Sequence, residues 1–284
     1  MQKNILLTGS NGFIGSHFKN YYKYKYNIKT FSFLNNNFND LTLNGIDTVV
    51  HLSALVHQMG GSAKKEYYEI NVLQTINLAK KAKESGVEHF IFMSTIAVYG
   101  IEIGIIKKDS DCNPITNYGK SKLKAEQELL KLKDNNFKIT IIRPPIVYGY
   151  KAPGNMKSLI SLIKNISVLP FANIQNRRSM VYIGNLCHLI NEIIAQKQEG
   201  IFLASDDEVI SITKLIKLIA KELNKKIYLI EIPFFRLFLK KIKPNIYKRL
   251  YESLEVDNSL TKQILSLENP YTLEEGIRYM IKGE

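Results

Sequence analysis

The chain has 284 residues, 39 Lys and Arg against 26 Asp and Glu for a formal net charge of +13, and 45% hydrophobic content. That much apolar sequence fills a sizeable core and excludes disorder, and the length suits one large domain or two smaller ones. Two cysteines, Cys112 and Cys187, are too few for a disulfide-built secreted scaffold or a Cys-rich zinc module, so a reducing cytoplasm is the expected setting.

Residues 3–7 predict a short buried strand, 9–15 a turn and 13–22 a helix. A second strand is expected over 27–33 and a continuous apolar strand over 47–53. Apolar positions then recur at helical spacing through 65–85 (Ile70, Leu73, Ile76, Leu78, Ala79, Ala82) and stop at Gly86, a C-terminal cap. The run 90–106 is the most membrane-like, but Glu102 and two glycines make it a buried strand entering a loop rather than a span. The first apolar run, Ile5 to Leu7, is too short for a signal peptide.

A strand over 89–94, a helix over 118–132 and a strand over 138–142 complete an alternation of strand and helix. That order implies an α/β fold, a doubly wound parallel sheet of Rossmann type, over 1–149. After Arg143-Pro144-Pro145 the pattern loosens into helices near 155–166, 185–196, 212–224 and 234–241, with short strands near 179–183, 201–204 and 227–232. A smaller substrate lobe over 150–284 is expected, interleaved with the first domain through strands returning near 179–204.

Thr8-Gly9-Ser10-Asn11-Gly12-Phe13-Ile14-Gly15 stands directly after a strand and opens a helix. A tight turn, a close approach to a pyrophosphate and helix N-terminal amides facing it are what a dinucleotide site demands, so Gly9, Asn11, Gly12, Phe13, Ile14 and Gly15 are candidate cofactor contacts. The positive charge does not redirect this reading toward nucleic acid. Of the 39 basic residues 33 are Lys, spread along the chain, without a recognition-helix, zinc-finger or aromatic RNA-binding signature.

The Gly-x-x-Gly-x-x-Gly spacing resembles the extended short-chain dehydrogenase/reductase superfamily. The resemblance implies a Tyr-x-x-x-Lys pair on a helix, met by Tyr118 and Lys122, and a Ser or Thr ending the preceding strand. Counting back from Val98-Tyr99-Gly100 places Thr95, rather than Ser94, there. Residues four apart share a helix face, so the Lys122 ammonium is expected beside the Tyr118 phenol and to favour its ionised form, making Tyr118 a base near neutrality. Thr95 would hydrogen-bond the same substrate hydroxyl.

The resemblance runs nearly the whole chain and points to the nucleotide-sugar epimerase and 4-keto-sugar reductase branch. His51-Leu52-Ser53-Ala54 matches the strand end beside the cofactor, Asn71 the helix asparagine, and Asp40-Leu41 the adenine-edge position. Asn155 and Arg178 fall where the branch holds a substrate diphosphate, with a helix cap and a surface ion pair as their plainer alternatives. Arg249 is a further phosphate candidate and Arg177 a solvated one. The resemblance implies NAD, with NADP open because Ser32 to Asn35 offers neither an acid for a ribose hydroxyl nor an Arg for a 2′-phosphate. It also implies a UDP-linked sugar substrate and pairing as a homodimer.

Departures from the pattern carry information too. The related 4,6-dehydratases follow their catalytic Thr with Asp and Glu; Ile96 and Ala97 stand there, so oxidation and reduction at sugar C4 is expected without loss of water. This favours a UDP-hexose or UDP-N-acetylhexosamine 4-epimerase in surface-glycan precursor synthesis, with a 4-keto-6-deoxy-sugar reductase as the alternative. A non-catalytic cofactor-binding protein would be expected to lack Thr95, Tyr118 or Lys122. The stretch 27–47 is short for the usual extra helix, and Leu267-Glu268-Asn269-Pro270 replaces a Gly-Trp-x-Pro. His51 and His57 have no third ligand at metal spacing, so no metal is expected. Finally, 233–251 has six basic residues, no acids, and Phe234, Phe235, Phe238, Leu239 and Ile242 near helical spacing. Such a segment suits an anionic lipid surface or a cap on the substrate lobe.

Overall fold

The computed structural model describes residues 2–56 and 64–283; His57 lies outside them. The chain runs β1 (Asn4–Thr8), α1 (Phe13–Tyr22), β2 (Asn27–Phe31), β3 (Thr48–His51), α2 (Lys64–Tyr68), α3 (Gln74–Glu84), β4 (His89–Met93), β5 (Gly104–Ile106), α4 (Asn117–Leu130), β6 (Lys138–Arg143) and β7 (Ile146–Tyr148). It continues through α5 (Asn155–Asn165), β8 (Val168–Leu169), β9 (Met180–Tyr182), α6 (Ile183–Gln196), β10 (Gly200–Leu203), α7 (Ile212–Glu222) and β11 (Tyr228–Leu229). The last elements are α8 (Phe235–Ile242), α9 (Pro244–Tyr251), β12 (Leu254–Val256), α10 (Ser259–Leu265) and α11 (Leu273–Lys282).

Six parallel strands form the central sheet in the order β10-β6-β4-β3-β1-β2. The inner strands are buried along nearly their whole length, which is why they read as unbroken Ile, Leu, Val and Phe. Alternate residues feed two cores. Leu6, Val49, Phe90 and Ile141 pack under Leu78 and Ala82 of α3 and Ala125 and Leu129 of α4. Ile5, Val50, Ile91 and Ile142 pack under α6, on Leu186, Ile190 and Ile193.

The order in which strands are added reverses at β1 and β3, so the connections leaving their carboxyl ends run in opposite directions and leave a crevice, the place where open α/β sheets bind ligands. β10, from the second half of the chain, closes the sheet beside β6. The single helix expected over 65–85 is two helices joined by a π turn, Glu69–Leu73. That extra residue per turn points the fully buried Asn71 at Leu55 and Ser121, a local irregularity that periodicity alone does not reveal. Between β2 and β3 there is one 3₁₀ turn, Phe38–Asp40, capped by the Asn37 side chain. The Leu267 to Pro270 stretch is anchored by Asn269, which donates to Ser205 O at 3.2 Å and Asp207 Oδ1 at 2.6 Å.

The remaining strands pair in twos: β8 with β11, β5 with β12, and β7 with β9. They lie outside the central sheet, together with α5, α7, α8 and α9. No helix among the described residues is long and apolar enough to cross a membrane.

Candidate active site

The glycine turn follows β1, and each glycine answers a different demand. Gly9 has φ +69°, and a Cβ there would lie 2.8 Å from Leu52 C and Ser53 N, so the turn touches the segment after β3. A Cβ on Gly15 would lie 2.2 Å from Gly9 O, so α1 can pack on the turn only without one. Gly12 is exposed, and the protein itself meets its Cβ position only at Gly9 O, 3.2 Å away. Its bareness therefore serves an approaching ligand. No side chain caps α1, which leaves first-turn amides of Phe13 and Ile14 for an anion. These features fit the pyrophosphate of a dinucleotide.

Leu52, Ser53 and Ala54 lie across the crevice, all partly exposed. A hydrogen-bond chain fixes their distance from the catalytic helix. Thr8 Oγ1 accepts from the Ser53 amide at 3.3 Å and lies 2.7 Å from His51 Nδ1. His51 Nε2 lies 2.9 Å from Thr75 Oγ1, which gives its own proton to the Asn71 carbonyl. This order makes His51 a donor through Nε2 and an acceptor through Nδ1. Burial, then the Lys122 charge, push its pKa down to about 3, so the ring is neutral. Asn71 continues the chain to Ser121 Oγ, which donates to the Tyr118 carbonyl at 2.8 Å.

α4 begins at a Thr116 cap, whose hydroxyl accepts from the Gly119 amide at 3.0 Å. A Cβ on Gly119 would lie 2.7 Å from Ala97 O, so α4 packs closely on the turn after Thr95, bringing Tyr118 and Thr95 to the same end of β4. Lys122, one turn later and buried, donates to Met93 O at 2.8 Å and lies 4.4 Å above the Phe92 ring. Burial lowers Lys122 to about 7, and burial raises Tyr118 to about 12. Burial, then Tyr67, raise the phenol, in place of the lowering by the cation that the spacing predicts.

Thr95 is partly exposed, and its hydroxyl accepts from the Ala97 amide at 3.2 Å, leaving its proton for a ligand. Ser94 is buried and bonded to Glu126, which also binds Arg143 through Nε at 3.1 Å. Ser94 is thus committed to the interior. Sequence reasoning missed Glu126; its place four residues after Lys122, on the buried face of α4, was the available signal.

Asp40 is exposed at the 3₁₀ turn, whereas Leu41 is a core residue packed with Phe31 and Leu43. Asn155, Arg178 and Arg249 meet in one cavity of about 730 Å³, with Ile146, Phe171 and Leu250 among its walls. Gly154, not Asn155, caps α5. Arg178 donates to Glu252 O at 3.3 Å, and burial plus the charge of Arg249 lower its pKa. Among the described residues neither Arg178 nor Arg249 has a carboxylate partner, whereas Arg177 pairs with Glu255 on the surface. Two like charges held together and unneutralised describe an anion site.

A doubly wound sheet, a glycine turn at its reversal point and a Thr-Tyr-Lys set beside it define a dinucleotide-dependent oxidoreductase-type enzyme. The profile of the NAD dependent epimerase/dehydratase family matches residues 5–203, and the chain belongs to that family. Its cofactor is NAD. It is 36% identical to the UDP-glucose 4-epimerase of Vibrio cholerae, across 98% of this chain and 94% of that one. It is 29% identical to the N-acetyl-alpha-D-glucosaminyl-diphospho-ditrans,octacis-undecaprenol 4-epimerase of Escherichia coli O157:H7, across 82% and 76% of the two chains. In fold it resembles the UDP-N-acetylglucosamine 4-epimerase of Bacillus cereus, with a TM-score of 0.79 at 19% identity over 99% and 98% of the chains.

Proposed function

We propose that the protein is a 4-epimerase acting on a sugar joined to a diphosphate, with a UDP-hexose or UDP-N-acetylhexosamine as the principal substrate. The observation that carries this is the unpaired Arg178 and Arg249 in one cavity with Asn155. The relative from Vibrio cholerae, named for UDP-glucose, supports the same reading.

Bound NAD supplies the hydride acceptor and donor. The chain's own groups do the rest. Thr95 holds the C4 hydroxyl through its free proton, Tyr118 in its phenolate form takes the hydroxyl proton and later returns it, and Lys122 in its protonated form favours that phenolate from its seat on Met93 O. Ile96 and Ala97 provide no acid or base for removing water. Arg178 and Arg249 would grip the diphosphate while the sugar turns its other face.

A second reading keeps the reaction and changes the carrier to a polyprenyl diphosphate, as in the name of the relative from Escherichia coli O157:H7. Ile246 and Leu250 in the cavity wall favour it, being apolar where a nucleoside would meet polar partners. Incubation with UDP-hexoses, UDP-N-acetylhexosamines and polyprenyl-diphosphate sugars, without added reductant, decides between the carriers. Interconversion of C4 epimers supports the proposal; a 4-keto-6-deoxy product overturns it, as does silence in that assay together with consumption of added NADH or NADPH on a 4-keto-6-deoxy sugar.

A further inference from the structure

Beside α9, which walls the cavity, α8 has an outer side that the fold leaves uncovered. α9 presents Ile246, Arg249 and Leu250 to the cavity, while α8 has no buried side chain. Phe234 is 80%, Leu237 64% and Phe238 58% exposed, and Ile242 is exposed with them. At a helical period Leu237, Phe238 and Ile242 fall within roughly 140° of arc, with Lys241 among them, and Phe234 stands just before the helix. Val168 and Tyr228, paired across β8 and β11, and Ile230 two residues on, are exposed as well.

Charge surrounds that side with one sign. Residues 233–251 hold six cations and no acid. Three have duties elsewhere: Arg236 lies over the Tyr247 and Tyr251 rings, Lys248 pairs with Glu102, and Arg249 faces the cavity. Of the other three, Lys240 also lies over the Tyr247 ring, 5.6 Å from its centroid, and Lys240, Lys241 and Lys243 have no carboxylate partner among the described residues.

We propose that α8 is a membrane-surface helix. Its Phe234, Leu237 and Phe238 side enters the headgroup region of an anionic bilayer, and Lys240, Lys241 and Lys243 meet the lipid phosphates. An exposed apolar side bearing lysines that lack carboxylate partners matches such a surface in both terms, whereas a second copy docked face to face would set the same lysines against each other. Docking would hold the Arg178 and Arg249 cavity at the bilayer, where a sugar diphosphate on a lipid carrier could reach it. That consequence rests on the function proposed above; the docking does not.

The test is sedimentation of the full chain with vesicles of phosphatidylglycerol and phosphatidylcholine, against phosphatidylcholine alone. The expected result is at least about tenfold more protein bound to the anionic vesicles, reduced by high salt, because each lysine near the surface strengthens binding several-fold. The combined change Phe234→Ser, Leu237→Ser, Phe238→Ser should abolish sedimentation while keeping C4 epimerisation of a soluble UDP-sugar, which reports an intact fold. Equal binding to both vesicle types overturns the proposal. So does a triple variant that binds like wild type, or wild-type dimers that the triple change dissociates, which would assign the face to a second copy. Vesicle binding without epimerisation of any UDP-sugar would leave docking standing and count against the UDP-sugar function alone.

Discussion

Lys122 donates to the main-chain carbonyl of Met93 at 2.8 Å, so the family's lysine is tethered to the last residue of β4 rather than standing free in the crevice. The tether crosses from α4 to the sheet and fixes the height of Tyr118, one turn earlier, over the cofactor crevice. It also holds a cation in a place where burial pulls its pKa to about 7.

A buried cation of this kind opposes folding. Lys122→Met should therefore raise stability at pH 7, by on the order of 1 to 3 kcal/mol after the loss of the Met93 hydrogen bond, and lower turnover at least about a hundredfold. The wild-type chain binds fewer protons folded than unfolded between about 7 and 10.5, so it gains stability as pH rises through that window. The advantage of the variant should then shrink toward pH 9. Denaturant midpoints at the two pH values check this, and a variant less stable than wild type at pH 7 refutes it.

Tyr118→Phe should cut turnover about a hundredfold or more, since positioned proton transfer is worth that much, and leave UDP affinity unchanged. Thr95→Val should cost less, about tenfold, and Thr95→Ser should recover most of it. Ser94→Ala, by contrast, should act on stability, because Ser94 serves Glu126 in the interior. A turnover loss in Ser94→Ala equal to that of Thr95→Val would exchange their roles.

The Arg143 and Glu126 pair is buried on both sides. Removing one partner with Glu126→Leu leaves an uncompensated guanidinium, expected to destabilise by about 3 to 5 kcal/mol. Changing both, Glu126→Leu with Arg143→Met, should recover most of that loss. Thermal melts of these two variants and of Arg143→Met alone measure the coupling, and additive losses would show that the pair acts through packing alone.

Arg178→Ala and Arg249→Ala should each weaken UDP by about 1.5 to 3 kcal/mol with NAD binding unchanged. Calorimetric titration with UDP reads it. If Arg249→Ala binds UDP like wild type, Arg178 alone carries the phosphate contact.

His51 and His89 are buried and held at about 3, against 6.5 when free. The unfolded chain thus binds more protons below pH 6.5, and folding stability, complete above that value, falls as pH drops toward 3. Each histidine loses about 1.4 kcal/mol per unit. Asp206, raised to about 6 by burial, works in the opposite sense below that pH. Between pH 7.5 and 5.5 these three together leave a net loss of about 2 kcal/mol. His89→Leu should remove about 1.4 kcal/mol of that loss, read from denaturant midpoints at the two pH values.

Local sequence determined the parts that depend on short-range rules. The strands β1, β3, β4 and β6 were legible because burial on both faces requires unbroken apolar runs, and the glycine turn because positive φ and close approach admit nothing larger at Gly9 and Gly15. Thr95, Tyr118 and Lys122 could be named from spacing and resemblance together. What tertiary structure decided depends on residues far apart in the chain. No local pattern shows that Asn71 would turn inward through a π turn to join Leu55 and Ser121, that Ser94 would be consumed by Glu126, or that Leu41 would enter the core beside the exposed Asp40. The meeting of Arg178 with Arg249 joins the segment before β9 to α9, far apart in the chain, and their unpaired charge exists only because no carboxylate of the described chain folds back to them. Burial, likewise, is a property of the whole assembly. It is why the lysine expected to lower the Tyr118 phenol itself gives up charge, and why the phenol rises to about 12 instead.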